Sequence, residues 1–225
     1  MSAWIQLADD VWQLPLLPMH GLNVYLIDDV VVDAGLPGSK EQLLAALDGR
    51  TLRAHVLTHA HPDHEWASAA LCEARSIPLW CGARDRAAAE HAAFAAPLAG
   101  PRRRLFQVAE RLSGDGYRVA RTLREGDEIG GFRVLETPGH TPGHISLWRE
   151  DDGVLILGDV ASHRNPLSLS LGLREPSRLF TVDPEENRRS IAKVAALAPR
   201  LVCFGHGPPL ADGDRFVRWA ANLAT

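Results

Sequence analysis

Residues 58–64 read Thr-His-Ala-His-Pro-Asp-His, so four metal-capable side chains fall within six positions: His59, His61, Asp63 and His64. The apolar run at residues 54–57 precedes them and is typical of a buried strand. Alternate side chains of a strand share one face, so the first two histidines can point the same way. The proline should end the strand and leave the aspartate and the last histidine as a second pair. Imidazole suits zinc, iron, copper or nickel, and carboxylate extends the choice to manganese.

Three further metal-capable residues occur later, each in a glycine-containing turn after an apolar run. They are His140 after residues 132–135, Asp159 after residues 154–157, and His206 after residues 201–204. Glycine lets the backbone turn sharply and approach an ion closely. Because each candidate follows a predicted strand, we expect all seven to lie on one edge of a sheet.

These residues, in this order, resemble the metallo-β-lactamase superfamily over nearly the whole chain. The resemblance implies one metal held by His59, His61 and His140, a second held by Asp63, His64 and His206, and Asp159 bridging the two. It also gives Asp33 a supporting position, where a carboxylate orients a ligand imidazole and selects its tautomer. His144 follows the ligand histidine by four residues and is predicted to be a structural or supporting group.

The fold of this family is a four-layer αββα sandwich, and the α/β pattern of the chain agrees with it. Strands are predicted at residues 11–14, 24–27, 30–32, 54–57 and 78–81, and helices at 39–47, 65–75, 84–113 with a break at 97–101, from 183 onward, and at 212–222. Ser39 and Gln42 form a capping-box pattern, and Asp183 precedes Pro184 as a helix cap. With no linker or low-complexity tract, residues 1–225 are predicted to form one domain.

Charge and composition limit the expected partners. The formal net charge of −4 gives no basic footprint for nucleic acid, and the cluster at residues 102–104 is interpreted as a solvated helix face. The N-terminus has no basic start and no long apolar segment follows, so we expect neither a signal peptide nor a membrane span. Cys72, Cys81 and Cys203 are interpreted as buried thiols in a reducing compartment. These features predict a cytoplasmic protein that acts on a small molecule, in an oligomeric state that the sequence leaves open.

The resemblance implies metal-assisted hydrolysis. Two cations that share a carboxylate should lie roughly 3.5–4 Å apart and acidify a water between them. The resulting hydroxide would be the nucleophile, and Asp63 is placed to orient it or relay a proton. Two divalent ions are expected, most naturally zinc, with iron or manganese as alternatives. The bridging aspartate and the histidine-rich set resemble hydroxyacylglutathione hydrolases (glyoxalase II) and lactonases more than zinc β-lactamases, which favours a small ester, thioester or lactone substrate.

Two other activities stay open at this point. Phosphodiesterases of the superfamily share the full ligand pattern. Persulfide dioxygenases share the scaffold but use one iron, on positions that match His59, His140 and Asp159. Nineteen residues follow His206, so we expect a short form without the helical C-terminal domain of the longer glyoxalase II enzymes.

The substrate groove is predicted from three segments with little regular pattern, residues 16–21, 95–117 and 160–182. Long loops on a rigid scaffold often carry binding residues. His20 lies in the first segment, where it could flank the mouth of the site. His163 and Arg164, together with Arg174, are candidates to bind an anionic group of the substrate.

Overall fold

The computed structural model describes residues 4–36, 38–93, 116–165 and 168–223. Within these residues the larger sheet has seven strands that lie side by side in chain order: β1 (Ile5–Ala8), β2 (Val11–Pro15), β3 (Asn23–Ile27), β4 (Val30–Val32), β5 (Ala54–Leu57), β6 (Leu79–Gly82) and β7 (Val119–Leu123). Neighbours from β1 to β4 are antiparallel, and those from β4 to β7 are parallel.

The second sheet has five strands among the described residues: β8 (Glu128–Ile129), β9 (Phe132–Glu136), β10 (Ile145–Arg149), β11 (Val154–Gly158) and β14 (Leu201–Phe204). The first four form an antiparallel meander, and β14 adds to β11 in parallel. A separate antiparallel hairpin joins β12 (Ser162–Arg164) to β13 (Leu171–Arg174). This hairpin lies within residues 160–182, where the sequence predicted little regular structure.

The two sheets pack face to face through one apolar core. Side chains alternate along a strand, so Val30 and Val32 of β4 join this core while Val31 faces the other side of the sheet. Val154 and Ile156 of β11 contribute from the second sheet and are buried. Alternation therefore gives each sheet two apolar faces, and both need covering.

Helices cover the two outer faces. They are α1 (Lys40–Ala46), α2 (Pro62–Glu65), α3 (Ser68–Arg75) and α4 (Arg86–His91), then α5 (Pro184–Ala195) and α6 (Gly213–Ala221). Leu43 of α1 and Leu71 of α3 enter the core on the outer face of the larger sheet, whereas Ile191 of α5 and Phe216 of α6 enter that of the smaller sheet. The four layers are helix, sheet, sheet, helix, which confirms the predicted αββα fold. In the described part of the chain, no helix combines the length and apolar character that crossing a membrane requires.

Local predictions had mixed outcomes. Asp183 caps α5 as predicted, because its side chain accepts hydrogen bonds from two backbone nitrogens of the first turn. The capping box at Ser39 was wrong: its side chain makes no cap hydrogen bond, and Gln42 donates to the carbonyl of Pro15 instead. The predicted helix at 65–75 is two helices, α2 and α3. Most of the predicted helix at 84–113 and of the loop at 95–117 lies outside the described residues, as does the cluster at 102–104.

Candidate metal centre

The first group of ligand candidates is a triangle of imidazoles. His59 and His61 follow β5 of the larger sheet, and His140 follows β9 of the smaller sheet. Their ring centroids lie 4.7 Å apart for His59 and His61, 4.8 Å for His59 and His140, and 4.6 Å for His61 and His140. One nitrogen from each ring falls within 4.8 Å of the others. The two sheets thus bring together histidines that are about eighty positions apart in the chain.

The second group is Asp63, His64 and His206, whose ligand atoms also lie within 4.8 Å of one another. Pro62 is the first residue of α2, so the chain turns there as predicted and places Asp63 and His64 in the first helical turn. His206 follows β14. Its Nε2 atom lies 3.2 Å from Oδ2 of Asp63.

Asp159 lies between the two groups. Its Oδ2 atom is 3.2 Å from Nε2 of His206, 3.6 Å from Nε2 of His64 and 3.8 Å from Nε2 of His140. One carboxylate oxygen therefore reaches imidazoles of both groups. Gly205 makes this approach possible, because a Cβ atom at that position would lie 2.2 Å from Oδ1 of Asp159.

Hydrogen bonds at Nδ1 determine how the imidazoles point. The acceptors are Thr58 Oγ1 for His59 at 3.0 Å, Asp33 Oδ2 for His64 at 2.8 Å, Thr181 Oγ1 for His140 at 3.2 Å and the Gly21 carbonyl for His206 at 2.6 Å. Both threonine hydroxyls donate elsewhere, to Asp33 and to the Ser177 carbonyl, so they accept from the histidines. The four rings consequently carry their proton on Nδ1 and direct Nε2 into the site.

Several inward-facing atoms have no hydrogen-bond partner in the described part of the chain. Nε2 of His59, His64 and His140 and Oδ1 of Asp159 are buried and form no hydrogen bond among the described residues. An unsatisfied buried acceptor is costly, at about 1–3 kcal/mol each. Several such atoms aimed at one small volume fit a bound cation, which pairs with imidazole and carboxylate ligands alike.

Asp33 supports both groups from behind. Besides His64, its carboxylate accepts hydrogen bonds from the backbone nitrogen of Thr58 at 2.8 Å and from the Thr58 hydroxyl at 2.9 Å. The same hydroxyl accepts the proton of His59. Asp33 follows β4 with φ at +64°, a left-handed backbone that a non-glycine residue rarely adopts. One buried carboxylate therefore orients His64 directly and His59 through Thr58.

His144 has no nitrogen available for a metal, because both of its ring nitrogens form hydrogen bonds. Its Nε2 atom accepts a hydrogen bond from the backbone nitrogen of Asp159 at 3.0 Å, and Nδ1 lies 2.8 Å from Oγ1 of Thr137. Thr137 donates to Ser146, which in turn donates to the Leu157 carbonyl, so Nδ1 of His144 is the donor. His144 thus holds the backbone that carries Asp159.

The ligand histidines fall into two classes by pKa, according to whether carboxylates lie close to the ring. Burial lowers the pKa of His59 and His140 well below the ordinary value and that of His61 to about 4. Burial opposes a charge on His64 and His206 too, but nearby carboxylates outweigh it. They raise the pKa of His64 well above its usual range and that of His206 to about 10. Without a metal these two rings hold protons where a cation would bind, so metal binding must release protons.

The sequence did not single out Asp85, although it connects two of the ligand-bearing loops. This buried carboxylate accepts hydrogen bonds from the backbone nitrogens of Ala60, at 3.0 Å, and Gly143, at 2.6 Å, and from the hydroxyl of Thr141, also at 2.6 Å. Its partners are 25 to 58 positions away in the chain, so no local motif announces this role.

A groove of about 500 Å³ opens over the candidate centre. Ligand candidates His61, Asp63, His140, Asp159 and His206 form its floor. Its walls come mainly from the β12–β13 hairpin and the segment that follows, and they include Ser162, Asn165, Arg174, Pro176 and Phe180, with Leu36 on the other side. Arg174 is the one Lys or Arg among the described residues that line the groove.

Two predicted anion-binding residues lie elsewhere. His163 is buried with its ring against Phe204, and its Nδ1 atom lies 2.9 Å from the Pro208 carbonyl. Arg164 donates to the Leu169 carbonyl, and neither residue lines the groove. On β12 alternate residues face opposite sides, so the exposure of Ser162 to the groove turns His163 away from it. Arg174, from the opposite strand of the hairpin, is the member of the predicted set that reaches the groove.

The turn at residues 16–21 also does not line the groove. His20 acts there through its backbone, because its carbonyl accepts a hydrogen bond from the nitrogen of Gly207 at 2.7 Å, directly after His206. Burial lowers the pKa of the His20 side chain. The turn therefore braces the loop of His206 and leaves the groove wall to the hairpin.

Comparison with known proteins identifies the family. The model of the metallo-beta-lactamase superfamily matches residues 20–206. The chain is 31% identical over 237 residues to the probable metallo-hydrolase YflN of Bacillus subtilis, covering 92% of this chain and 89% of the relative. The chain therefore belongs to the metallo-beta-lactamase superfamily, as a metal-dependent hydrolase of that fold.

More specific relatives and solved structures extend this result. A hydroxyacylglutathione hydrolase of Cereibacter sphaeroides is 36% identical over 180 residues, which cover 80% of this chain but 57% of that enzyme. The crystal structure of TTHA1623 in a di-iron-bound form superposes with a TM-score of 0.67 at 29% identity, covering 89% of this chain and 94% of the other. The BLEG-1 B3 metallo-beta-lactamase gives a TM-score of 0.66 at 31% identity, with coverage of 89% and 93%.

Proposed function

We propose that this protein is a dinuclear metal-dependent hydrolase of small ester, thioester or lactone substrates. The observation that carries the proposal is the position of Asp159, whose Oδ2 atom lies within 3.8 Å of imidazoles from both ligand groups. His59, His61 and His140 would hold the first ion, and Asp63, His64 and His206 the second. A carboxylate between two complete three-residue groups supports a shared bridging ligand.

Two bound divalent cations would supply an acidified water, whose pKa can fall to about 7, and would polarise the oxygen of the scissile carbonyl. The protein supplies the remaining requirements. Asp33, Thr58 and Thr181 keep the proton of three ligand imidazoles on Nδ1. Asp63 borders the groove with its side chain 36% exposed, so it is placed to orient the nucleophile or relay a proton. Leu36 and Phe180 contribute apolar side chains to the groove lining.

Zinc is the metal that we propose first, with iron and manganese as alternatives. Imidazole binds all three, and a site rich in histidine with bridging carboxylate does not discriminate among them by ligand type. The di-iron form of TTHA1623 supports a two-metal site in this fold that accepts iron.

A small acyl substrate is supported by the groove and by the relatives. Similarity to hydroxyacylglutathione hydrolases favours a thioester. The groove combines the apolar Phe180 and Leu36 with the polar Ser162 and Asn165, and Arg174 adds one positive charge. Such a wall suits an acyl or thiol component that has both apolar and anionic parts.

The mononuclear iron alternative is less well supported. An oxygenase of that kind would use His59, His140 and Asp159 alone. Here Asp63, His64 and His206 converge as closely as the first group, and the hydrogen bond of His64 to Asp33 directs its Nε2 atom into the site. Phosphodiester hydrolysis uses the same two-metal centre and is distinguished by substrate.

The proposal is tested by assaying purified protein of known metal content on a panel of thioesters, lactones, phosphodiesters, β-lactams and a persulfide. We expect two metal ions per chain and highest kcat/KM on a thioester or lactone. One iron per chain with oxygen consumption on the persulfide would replace hydrolysis by oxygenation. Highest activity on a phosphodiester or β-lactam would be consistent with the two-metal centre but would contradict the proposed substrate class.

A further inference from the structure

Asp85 ends a short 3₁₀ turn (Ala83–Asp85) that leads directly into α4, where a capping aspartate would be expected, yet its side chain caps no helix. It is the residue directly before α4, and its side chain makes no hydrogen bond to the first turn of that helix. Aspartate at this position normally accepts such a bond and stabilises the helix. The side chain is instead fully buried and turned away from its own helix. Helix capping therefore does not account for an aspartate at this position.

Both carboxylate oxygens of Asp85 are used by loops that carry metal-ligand candidates. Oδ2 accepts from the backbone nitrogen of Ala60, which lies between His59 and His61. The same oxygen accepts from the Thr141 hydroxyl, and Oδ1 accepts from the nitrogen of Gly143. Thr141 follows His140 directly. The carboxylate thus joins the His59–His61 segment of one sheet to the His140 turn of the other.

Gly143, in the His140 turn, packs closely against Asp85 and Gly82. A Cβ atom on Gly143 would lie 2.3 Å from the backbone nitrogen of Asp85 and 2.7 Å from its Oδ1 atom. A Cβ atom on Gly82 would lie 1.8 Å from the carbonyl oxygen of Gly143. The turn after β6 and the His140 turn therefore meet backbone to backbone, and glycine is required at both contact points.

We propose that Asp85 is a positioning residue for the first metal group, holding His59, His61 and His140 at the separation that one cation requires. The inference rests on the proposed function, because it presumes that these three imidazoles bind a metal. Asp85 is bonded to the loops of this group and to none of Asp63, His64 and His206, so its loss should weaken one metal site selectively. Residues that orient ligands typically change metal affinity by 10- to 100-fold.

The test is a calorimetric titration of metal-free protein with Zn²⁺ alone. It compares wild type with Asp85→Ala and Asp85→Asn. The matched control is Asp212→Ala, because Asp212 does cap its helix, accepting from the backbone nitrogen of Arg215. We expect Asp85→Ala to weaken one Zn²⁺ site by 10- to 100-fold and leave the other within about threefold. Asp212→Ala should lower the free energy of unfolding and leave both affinities unchanged.

Asp85→Asn is expected to fall between wild type and Asp85→Ala. An amide retains one acceptor oxygen but turns an NH₂ group toward the backbone N–H of Ala60 or Gly143. If Asp85→Ala does not fold, Thr141→Val serves instead, since it removes one of the three hydrogen bonds and leaves the two to backbone nitrogens. It should weaken the same single site by a smaller factor.

The outcomes separate this inference from the proposed function. Zn²⁺ affinities unchanged at both sites in Asp85→Ala and Asp85→Asn, with only stability reduced, would show that Asp85 is a structural residue. Equal weakening of both sites would also overturn the selective role. Wild-type protein that binds none of Zn²⁺, Mn²⁺ and Fe²⁺ in the same titration would refute the proposed function, and this inference with it.

Discussion

Oδ2 of Asp33 lies 2.8 Å from Nδ1 of His64, and this contact decides which imidazole nitrogen of His64 faces the metal centre. A carboxylate only accepts hydrogen bonds, so Nδ1 of His64 carries a proton and Nε2 is available as a ligand. In Asp33→Asn the amide can donate to Nδ1 and favour the other tautomer, with a proton on Nε2. We therefore expect Asp33→Asn to lower metal occupancy of the second site at least tenfold, measured by elemental analysis after dialysis.

Asp29→Asn is the control for this substitution. Asp29 lies at the turn before β4 and pairs with Arg53 on the protein surface at 3.0 Å. Exposed pairs contribute little, so metal content should remain that of wild type. Full metal content in Asp33→Asn would mean that the tautomer of His64 is set by something other than Asp33.

Asp159→Asn and Asp63→Asn should differ in which ions they remove. An amide bridges two cations poorly, so we expect Asp159→Asn to lower occupancy of both sites and to reduce kcat at least 100-fold. Asp63→Asn should deplete the second site and leave the first filled, because Asp63 belongs to only one group. Metal-to-protein ratios and kcat measured on the same samples check both expectations. Equal metal loss in the two variants would argue against a bridging position for Asp159.

Arg174 should determine preference for anionic substrates. Its guanidinium donates to the carbonyls of Gly172 and Ser170, and among the described residues no carboxylate lies within 4 Å of it. A charged hydrogen bond at a partly open site is worth roughly tenfold in binding. We expect Arg174→Met to raise KM for a carboxylate-bearing thioester about tenfold and to leave KM for a neutral thioester of similar size unchanged.

Two controls sharpen the Arg174 experiment. Arg178→Met removes an exposed charge from the same segment without altering the groove lining. The double variant His163→Ala with Arg164→Ala removes the residues that the sequence favoured for anion binding. In both controls the ratio of KM for the anionic thioester to KM for the neutral thioester should be that of wild type. Selective loss of the anionic substrate in the double variant would return the anion-binding role to His163 and Arg164.

His55 should make the folded state sensitive to acid. It is buried in β5, between the Val31 carbonyl at 3.1 Å and the Ser68 hydroxyl at 2.8 Å, and burial lowers its pKa to about 4. Between pH 6.5 and about 4 the unfolded chain binds a proton that the folded chain does not. The free energy of unfolding therefore falls as pH falls through this window, by about 3 kcal/mol from this residue.

Chemical unfolding of wild type and His55→Gln between pH 7 and pH 4 measures this contribution. The variant should be less stable at pH 7 but lose less stability on acidification. Metal release at low pH affects both proteins, so the difference between the two slopes isolates His55. The control is His91→Gln, at the exposed end of α4, which should retain the wild-type slope. Parallel slopes for wild type and His55→Gln would contradict a neutral buried imidazole.

The strands that lead into the metal centre can be predicted from the sequence, because their signals lie in short stretches of chain. Apolar runs define the strands, and residue types such as the histidines after Leu57 mark the ligands. The hydrogen-bond partners of Asp33 and the convergence of its neighbours required the three-dimensional packing of β4 against β5. The sequence nonetheless indicated a supporting role for that residue through the family resemblance.

Asp85 and the groove walls were beyond the reach of local patterns. An aspartate before a helix has the appearance of a cap, and the sequence does not reveal that its partners come from loops 25 to 58 positions away. β12 reads Ser-His-Arg, with no apolar residue to mark its inner face, so the opposite orientations of Ser162 and His163 could not be foreseen. Tertiary contacts decided both cases: hydrogen bonds between distant loops for Asp85, and strand pairing for the hairpin.

Reconstitution of metal-free protein tests the central claim most directly. Zn²⁺, Mn²⁺ or Fe²⁺ is added in steps from zero to four equivalents, and hydrolysis of a thioester is measured at each step together with bound metal. The proposed dinuclear centre predicts that activity rises with the second equivalent and reaches a plateau at two bound ions per chain. Full activity at one bound ion, or hydrolysis that is independent of metal, would contradict it.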